Sequence, residues 1–220
     1  RLDNNLAGID LVLGAKGSPL QLILNSMYHI DAPTGNIPIE EARPFLNPKH
    51  PLLSSAIPLS LGDRYGAYRI VGTPQTILTL YGATSLEGGL YKDDFEVIVG
   101  ATVAKKLHLH IGDDFYSTHG LEENPDLAHD HGAPFKIVGI LSATGTVLDQ
   151  LILCTPQTVW KVHEHDAAAE QEEDDHEDGS HAGHNHSTEG HVHTSMPIVS
   201  IDSSAVKALA AVIVDSLLTQ

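Results

Sequence analysis

The sequence predicts an α+β domain in two lobes. Short apolar segments with strand character alternate with short helical segments, without the regular βαβ period of a doubly wound sheet. The β-branched and alternating apolar residues are concentrated in a few segments, which we expect to hold the core of one lobe. They are the strands near Ile57, Ile70, Val97, Phe135 and Leu151.

The N-terminal part contains two apolar runs, Leu6–Lys16 and Leu20–Ile30, separated by a Gly-Ser-Pro break. Two strands, or a strand and a short helix, fit these runs equally well. A turn around Gly35 follows. Ile39–Leu46 is then predicted to be a helix, because two glutamates in its first turn complement the helix dipole.

The next segments predict two strands and a helix. Ser55–Leu61 and Tyr68–Thr73 have strand-like sequences on either side of Gly62-Asp63, where we expect a turn. A helical stretch is predicted at Pro74–Tyr81.

The stretch 95–141 has the clearest local pattern. It predicts a strand at Glu96–Val99, a break at Gly100, a helix at Ala101–Leu107 and a turn at Gly112-Asp113. Phe135–Leu141 then alternates as a well-buried strand does. These residues carry no catalytic group, so we interpret the stretch as a scaffold.

The C-terminal third begins with a predicted strand at Leu151–Thr155. Thr155-Pro156 supplies a helix start, because threonine is a good N-cap and proline is favoured at the first helical position. Met196–Ile201 again resembles a strand. The last predicted element is a largely apolar helix over Ala205–Leu218, capped by Ser203-Ser204, which would either dock on the core or lead towards a membrane segment.

Composition limits the classes of function. The formal charge of −17 argues against binding to nucleic acid or to an anionic membrane surface, since both are bound through basic patches. Much of the acidity is local, because no Lys or Arg lies between Lys161 and Lys207. The single cysteine, Cys154, excludes an internal disulfide framework and lies in an apolar run, as a buried residue would.

Motifs for catalysis are missing from the sequence. The segment Gly14–Ser18 lacks the full spacing of a phosphate-binding loop, and a glycine-rich turn explains it better. No nucleophile elbow, H-E-x-x-H helix or Cys/His pair is present. We therefore predict that the chain is not an enzyme and requires no cofactor.

Residues 163–194 consist mainly of His, Asp, Glu, Gly, Ser and Asn. Such a segment buries too little apolar surface to offset its ordering entropy, so we expect a long disordered loop. Neutral imidazoles are good ligands for Zn²⁺ or another divalent transition metal. The candidate ligands are His163, His165, His176, His181, His184, His186, His191 and His193. The alternative is a solvated insertion that binds metal only incidentally.

A second, smaller group of histidines precedes the Phe135 strand. It contains His119, His129 and His131, with four carboxylates nearby. A defined metal site is conceivable because the loop is short enough to bring its ends together. Ordinary surface histidines are the competing interpretation.

The order of these motifs resembles the periplasmic core domain of MacB-like and FtsX-like ABC transporter permeases. That family has a strand ending in V-x-G, a short Ala/Lys/Leu helix, a G-D turn and a strand close to F-x-V-V-G-I-L. The corresponding segments are Val97–Gly100, Ala101–Leu107, Gly112-Asp113 and Phe135–Leu141. Further similar segments are Tyr68–Thr73, Leu86–Tyr91, Thr144–Asp149 and Leu151–Thr155, so that the resemblance spans roughly Leu11 to Trp160.

The resemblance implies a single extracytoplasmic domain over residues 1–220, with two subdomains, that transmits ATP-driven motion to a periplasmic substrate or partner. Its ATPase would be a separate subunit or domain reached through the parent permease. A periplasmic protein or lipoprotein would be a partner, and the full transporter would dimerise. The domain would face the periplasm at the bacterial inner membrane.

The chain begins at Arg1 with no signal peptide and no membrane-spanning run, which taken alone would suggest a soluble protein. An excised fragment fits as well, because in the family that the motifs resemble this domain lies between the first and second transmembrane helices. The alternative function, from a different class, is a periplasmic zinc-binding or transition-metal-binding protein or chaperone that uses the histidine loop.

Overall fold

The computed structural model describes residues 5, 8–30, 32–119, 133–162, 208–209 and 211–216. The helices are α1 (Pro19–Tyr28), α2 (Ile39–Ala42), α3 (Thr76–Leu80), α4 (Ala101–Leu107) and α5 (156–162). The strands are β1 (Leu11–Gly14), β2 (Ile37–Pro38), β3 (Leu53–Tyr65), β4 (Tyr68–Gly72), β5 (Leu86–Gly88), β6 (Glu96–Val99), β7 (Asp114–Phe115), β8 (Thr118–His119), β9 (Phe135–Leu141), β10 (Leu151–Cys154), β11 (Ala208–Leu209) and β12 (Ala211–Ser216). A short 3-10 turn at Val147–Gln150 precedes β10.

A mixed sheet organises the described residues. Its main path runs β1-β12-β3-β4-β10-β6-β9-β5, while β7 and β8 pair with β9 and β3. Two neighbouring pairs, β4–β10 and β6–β9, are parallel, and the other pairs are antiparallel. With short helices on this sheet, the predicted α+β class is confirmed. The division into two subdomains stays a prediction.

Both faces of the sheet are buried at its central strands. Along β10, Leu151 and Leu153 belong to one apolar cluster, whereas Ile152 and Cys154 belong to another, because successive side chains point to opposite faces. Helix α3 packs on the first face, and α4 and α5 pack on the second. This three-layer arrangement explains why the central strands are apolar without interruption.

Local predictions hold best in the stretch 95–141. The strand Glu96–Val99, the helix Ala101–Leu107 and the strand Phe135–Leu141 are confirmed with the expected bounds. Helix α5 begins at residue 156 as predicted, and the Thr158 amide donates to the Thr155 hydroxyl at 3.2 Å. The first two apolar runs form a strand and a short helix, one of the two alternatives.

The turn expected at Gly62-Asp63 is wrong. Strand β3 continues through these residues to Tyr65, and the chain turns at Gly66, whose φ is +57°. The pairing of β3 with β4 shifts between Leu61 and Arg64, so Gly62-Asp63 form an irregularity inside the strand.

Helix α2 is shorter than the predicted Ile39–Leu46 and ends at Ala42. The physical reason is Pro44, which has no amide hydrogen to donate to the carbonyl of Glu40.

The predicted C-terminal helix over Ala205–Leu218 is also wrong where the structure describes it. Ala208–Leu209 pairs with β2, and Ala211–Ser216 is a strand between β1 and β3. The run Val212-Ile213-Val214 favours a strand, because β-branched residues suit the extended backbone of a sheet. Among the described residues, no helix is long and apolar enough to cross a membrane.

Candidate functional site

The histidines predicted to bind metal lie mostly outside the described residues. This applies to all eight histidines of the segment 163–194 and to His129 and His131. The backbone of His119 is described in β8, where it pairs with Asp63 of β3. Within the described ranges, no group of three or more His, Cys, Asp or Glu side chains is placed to hold a metal ion. The metal site therefore stays a prediction.

Cys154 is completely buried at the end of β10. Burial raises the pKa of its thiol well above the usual value, and the negative charge of Asp63 acts in the same direction. A thiol that resists ionisation is a poor nucleophile. Its position supports the interpretation of Cys154 as a small core residue.

The described region has a surface cleft at the carboxyl ends of the parallel strands β4 and β10. The strands pair in register, with Cys154 opposite Gly72, and the Thr73 amide donates to the Cys154 carbonyl at 2.9 Å. The chain after β4 continues into α3 on one face, and the chain after β10 continues into α5 on the opposite face. The two segments diverge there, and a crevice opens between them.

The same tetrapeptide, Thr-Pro-Gln-Thr, follows both strands. One copy is residues 73–76 and the other is residues 155–158. Because β4 and β10 are adjacent, parallel and in register, the two copies lie side by side. The sequence analysis missed this site, although the repeat is visible in the sequence; its meaning depends on a strand pairing that the sequence does not reveal.

We call this crevice the strand-end cleft. Its volume is about 710 Å³, which falls within the usual range of ligand-binding pockets. Its walls combine apolar and hydrogen-bonding groups. The lining residues are Ile39, Pro58, Thr73, Pro74, Gln75, Thr76, Tyr91, Lys92, Thr155, Pro156, Gln157 and Trp160.

Tyr91 fixes one wall of the strand-end cleft. Its hydroxyl donates to the Thr73 carbonyl at 2.7 Å, and its own carbonyl accepts a hydrogen bond from Gln75 Nε2 at 2.6 Å. The ring is 2% exposed. Burial raises the pKa of Tyr91 well above its usual value. Tyr91 therefore stays neutral. It links the first tetrapeptide rigidly to the segment that follows Tyr91.

The segment after Tyr91 is held by Glu96. The carboxylate of Glu96 accepts hydrogen bonds from the backbone amides of Lys92 and Asp93, at 2.8 and 3.1 Å. These hydrogen bonds hold the pKa of Glu96 below its usual value. The backbone of Lys92 is thus fixed beside the cleft while its side chain stays exposed.

Helix α5 is held by contacts with the same segment. The Phe95 amide donates to the Thr158 hydroxyl at 3.0 Å, and Lys161 forms a salt bridge with Asp94. Gly72 allows α5 to approach closely, since a Cβ at this position would lie 2.9 Å from Pro156 Cα. Both walls of the strand-end cleft are therefore connected to the core.

The two glutamines of the repeat differ in what they do. Gln75 is half-buried and bound to Tyr91, whereas Gln157 is exposed and its amide has no hydrogen-bond partner within the described part of the chain. The lining contains one cation, Lys92, and no carboxylate. Glu96 lies next to this lining, and the charge of Lys92 contributes to the lowered pKa of the Glu96 carboxyl.

The fold was compared with solved structures. The chain is similar in structure to the periplasmic region of MacB from Actinobacillus actinomycetemcomitans, at 15% sequence identity and a TM-score of 0.43. The match covers 73% of this chain and 72% of that one. No protein-family model and no curated protein matches the chain.

Proposed function

We propose that this chain is an extracytoplasmic domain of an ABC transporter permease of the MacB-like or FtsX-like kind. In this role the domain is not catalytic. It contacts a periplasmic substrate, protein or lipoprotein, and it moves when the ATPase subunit or domain of the transporter acts on the inner membrane. A dimeric transporter would place two such domains together.

The motifs that carry the family resemblance support the proposal, because they form one connected unit. β6, which ends directly before Gly100, pairs with β9 in the sheet. Helix α4 packs in the same apolar cluster as these two strands. Their order along the sequence thus corresponds to a shared core rather than to unrelated fragments.

The observation that carries the proposal is the pairing of the first and last described strands. Strands β1 and β12 are antiparallel, with Leu11 opposite Val214 and Gly14 opposite Ala211. The start of β1 and the end of β12 therefore lie side by side. Ends that lie close together suit a domain inserted between two consecutive transmembrane helices, since both connections must return to one membrane surface.

The test is the sidedness of the domain in the natural full-length protein. Lys105 is exposed on α4, so a Lys105→Cys variant should react with a membrane-impermeant maleimide in intact spheroplasts. The native Cys154 is buried and serves as the internal control that should stay unlabelled. Labelling of Lys105→Cys only after lysis would place the domain in the cytoplasm and overturn the proposal.

A periplasmic metal-binding protein is the second candidate, and the composition of residues 163–194 favours it. Eight histidines in a segment without Lys or Arg can supply several neutral imidazoles to one divalent cation. The two candidates can coexist, because a transporter that handles metal would benefit from such a segment.

A further inference from the structure

We infer that the loop 43–52, which leads into β3, rests on the surface of the lipid bilayer and inserts Phe45 and Leu52 at the level of the headgroups. We call this segment the β3-entry loop. The inference rests on the proposed function and deepens it, because it names the surface that the domain contacts beside its membrane connections. Three observations carry it: the position of the loop, the exposure of its apolar side chains and the order of its backbone.

The β3-entry loop lies at the end of the sheet where β1 begins and β12 ends. β12 runs antiparallel to β3, with Ser216 at the end of β12 opposite Leu53 at the start of β3. β1 begins at the same end, because Leu11 pairs with Val214. In the proposed transporter both connections continue to transmembrane helices. The bilayer then lies beside this end of the domain, and the loop faces it.

Large apolar side chains are exposed at this end of the domain. Leu52 is 54% exposed, Leu11 is 45% exposed and Phe45 is 36% exposed. Transfer of such side chains from water to an apolar medium is favourable, so a group of them at one end of a domain indicates a contact surface. Leucine and phenylalanine are also residues that interfacial segments insert at the boundary between headgroups and acyl chains.

The β3-entry loop holds these side chains in a fixed arrangement. The ring of Phe45 stacks on His50, with ring centroids 6.3 Å apart, and Nδ1 of His50 accepts a hydrogen bond from the Leu52 amide at 3.3 Å. The His50 amide donates to the Asn47 carbonyl at 2.9 Å. Phe45 also lines a small cavity together with Leu53 at the start of β3. Because the loop is already ordered, contact with a surface costs it little further conformational entropy.

Charge does not drive this contact. The loop contains no Asp or Glu, but its Arg43 is already paired with Glu40. Asp10 and Asp215 lie at the same end of the sheet, so this end of the domain is not basic. The formal charge of −17 disfavours attraction to anionic lipid. The contact therefore depends on insertion of apolar side chains, for which a zwitterionic bilayer is sufficient.

The membrane connections favour a bilayer over a protein partner at this surface. In the proposed transporter the domain cannot leave its own membrane, so the bilayer is present at a high effective concentration. Two inserted side chains are then enough for a contact that would be marginal for a free chain. A protein partner would have to enter between the domain and the bilayer to reach the same side chains.

The test places an environment-sensitive fluorophore on the natural full-length protein in phosphatidylcholine vesicles that contain lipids with a nitroxide quencher at the headgroup. One reporter position is Lys49→Cys in the β3-entry loop, and the control position is Ala67→Cys in the exposed turn after β3. The two positions lie at opposite ends of the 13-residue strand β3, about 40 Å apart. We expect quenching of the label at position 49 and none at position 67, while the buried Cys154 stays unlabelled.

A double variant tests whether the apolar side chains hold the loop at the bilayer. Phe45→Ser combined with Leu52→Ser should lower the quenching at position 49 at least twofold. Ile111→Ser is the matched control, because it removes an exposed apolar side chain beside β5, the opposite edge strand, and should leave the quenching unchanged. Circular dichroism of the 220-residue chain checks that each variant is folded.

Four results would overturn the inference: no quenching at position 49, equal quenching at both positions, quenching that requires added anionic lipid, or unchanged quenching in the double variant. The sidedness test with Lys105→Cys is performed on the same protein and separates the two proposals. External labelling at position 105 without quenching at position 49 would overturn the bilayer contact alone. Labelling only after lysis would overturn the proposed function and this inference together.

Discussion

Single residues determine how closely the elements around the strand-end cleft pack. Gly72 is the clearest case, because β4 ends at this residue and α5 begins directly beside it. A Cβ on Gly72 would lie 2.8 Å from Val159 Cγ2 and 2.9 Å from Pro156 Cα. The second of these atoms is backbone and cannot move by a simple rotamer change.

The change Gly72→Ala should therefore destabilise the fold by about 2 kcal/mol, a typical cost of overpacking. Gly89→Ala is the matched control, because a Cβ there would meet its nearest atom at 3.9 Å. Urea denaturation of both variants gives the comparison. Equal free energies of unfolding for the two variants would show that α5 does not pack against β4 as described.

His29 is a second residue with a measurable consequence. It ends α1 in the left-handed conformation (φ 53°), is 7% exposed, and neither ring nitrogen has a hydrogen-bond partner among the described residues. Burial, aided by the positive charge of Arg69, lowers the pKa of His29 from 6.5 to about 3. The folded protein thus keeps His29 neutral at pH values where the unfolded chain protonates it.

The free energy of unfolding should therefore not depend on His29 above its unfolded pKa of 6.5. It should decrease as the pH falls from 6.5 towards 3, because only the unfolded chain takes up the proton. The expected slope is about 1.4 kcal/mol per pH unit for one proton. The variant His29→Asn, whose side chain tolerates the left-handed conformation, should lose this contribution. Unfolding free energies between roughly pH 6.5 and 5 measure the difference. Parallel pH profiles for the two proteins would contradict the prediction.

The sequence predicts a helix or strand correctly where the residues that determine it are close together in the chain. Helix α4 and its flanking strand are separated by Gly100, and their apolar spacing is enough to fix their bounds. The apolar run after Ser203-Ser204 predicts a helix where β12 lies. Its β-branched residues are a local signal against that prediction, and the pairing with β1 and β3, which are far away in the sequence, decides the outcome. The strand-end cleft was missed for the same reason, since only the pairing of β4 with β10 places the two tetrapeptides together.

The assignment of β12 as a strand can be tested with Ile213, which lies opposite both Val12 and Ile57. Ile213→Pro removes the amide hydrogen from a strand that has neighbours on both sides, and it should cost about 3 kcal/mol or more. Ile213→Ala also loses the large side chain but keeps the amide hydrogen. The difference in stability between the two variants therefore measures the contribution of the backbone. Thermal unfolding should separate the two variants clearly; equal melting temperatures would argue against a strand.

The segment His163–His193 should bind Zn²⁺ reversibly and release it as the pH falls through the histidine range, because protons compete for the same nitrogens. Protonation of the fifteen histidines would also cancel most of the formal charge of −17 that attracts cations. Calorimetry on the intact chain and on a variant with this segment replaced by a Gly/Ser linker measures the effect. A second variant that keeps the length but replaces each histidine by Asn separates ligand loss from shortening.

We expect the linker variant to fold. The helix before the removed segment, α5, packs on the core, and the next described strand after it, β11, pairs with β2. If it binds zinc as well as the intact chain does, the ligands lie elsewhere, and His119, His129 and His131 become the next candidates.

At the scale of the whole molecule, the described residues form a scaffold that displays a cleft, with strands buried on both faces. The sequence contains no phosphate-binding loop and no arrangement of nucleophile and base. We therefore predict that the purified chain does not hydrolyse ATP. Turnover above that of a contaminant control, prepared identically from cells without the chain, would contradict the prediction.

The position of β12 has a consequence for the order of folding during synthesis. β1 and β12 lie near opposite ends of the 220-residue chain, yet β12 fills the space between β1 and β3. Until β12 emerges from the ribosome or the translocation channel, the edges of β1 and β3 that pair with it have no partner, and their free amide and carbonyl groups invite pairing with other chains. Completion of the sheet must therefore wait until β12 has been synthesised, and products truncated before β12 should aggregate rather than fold.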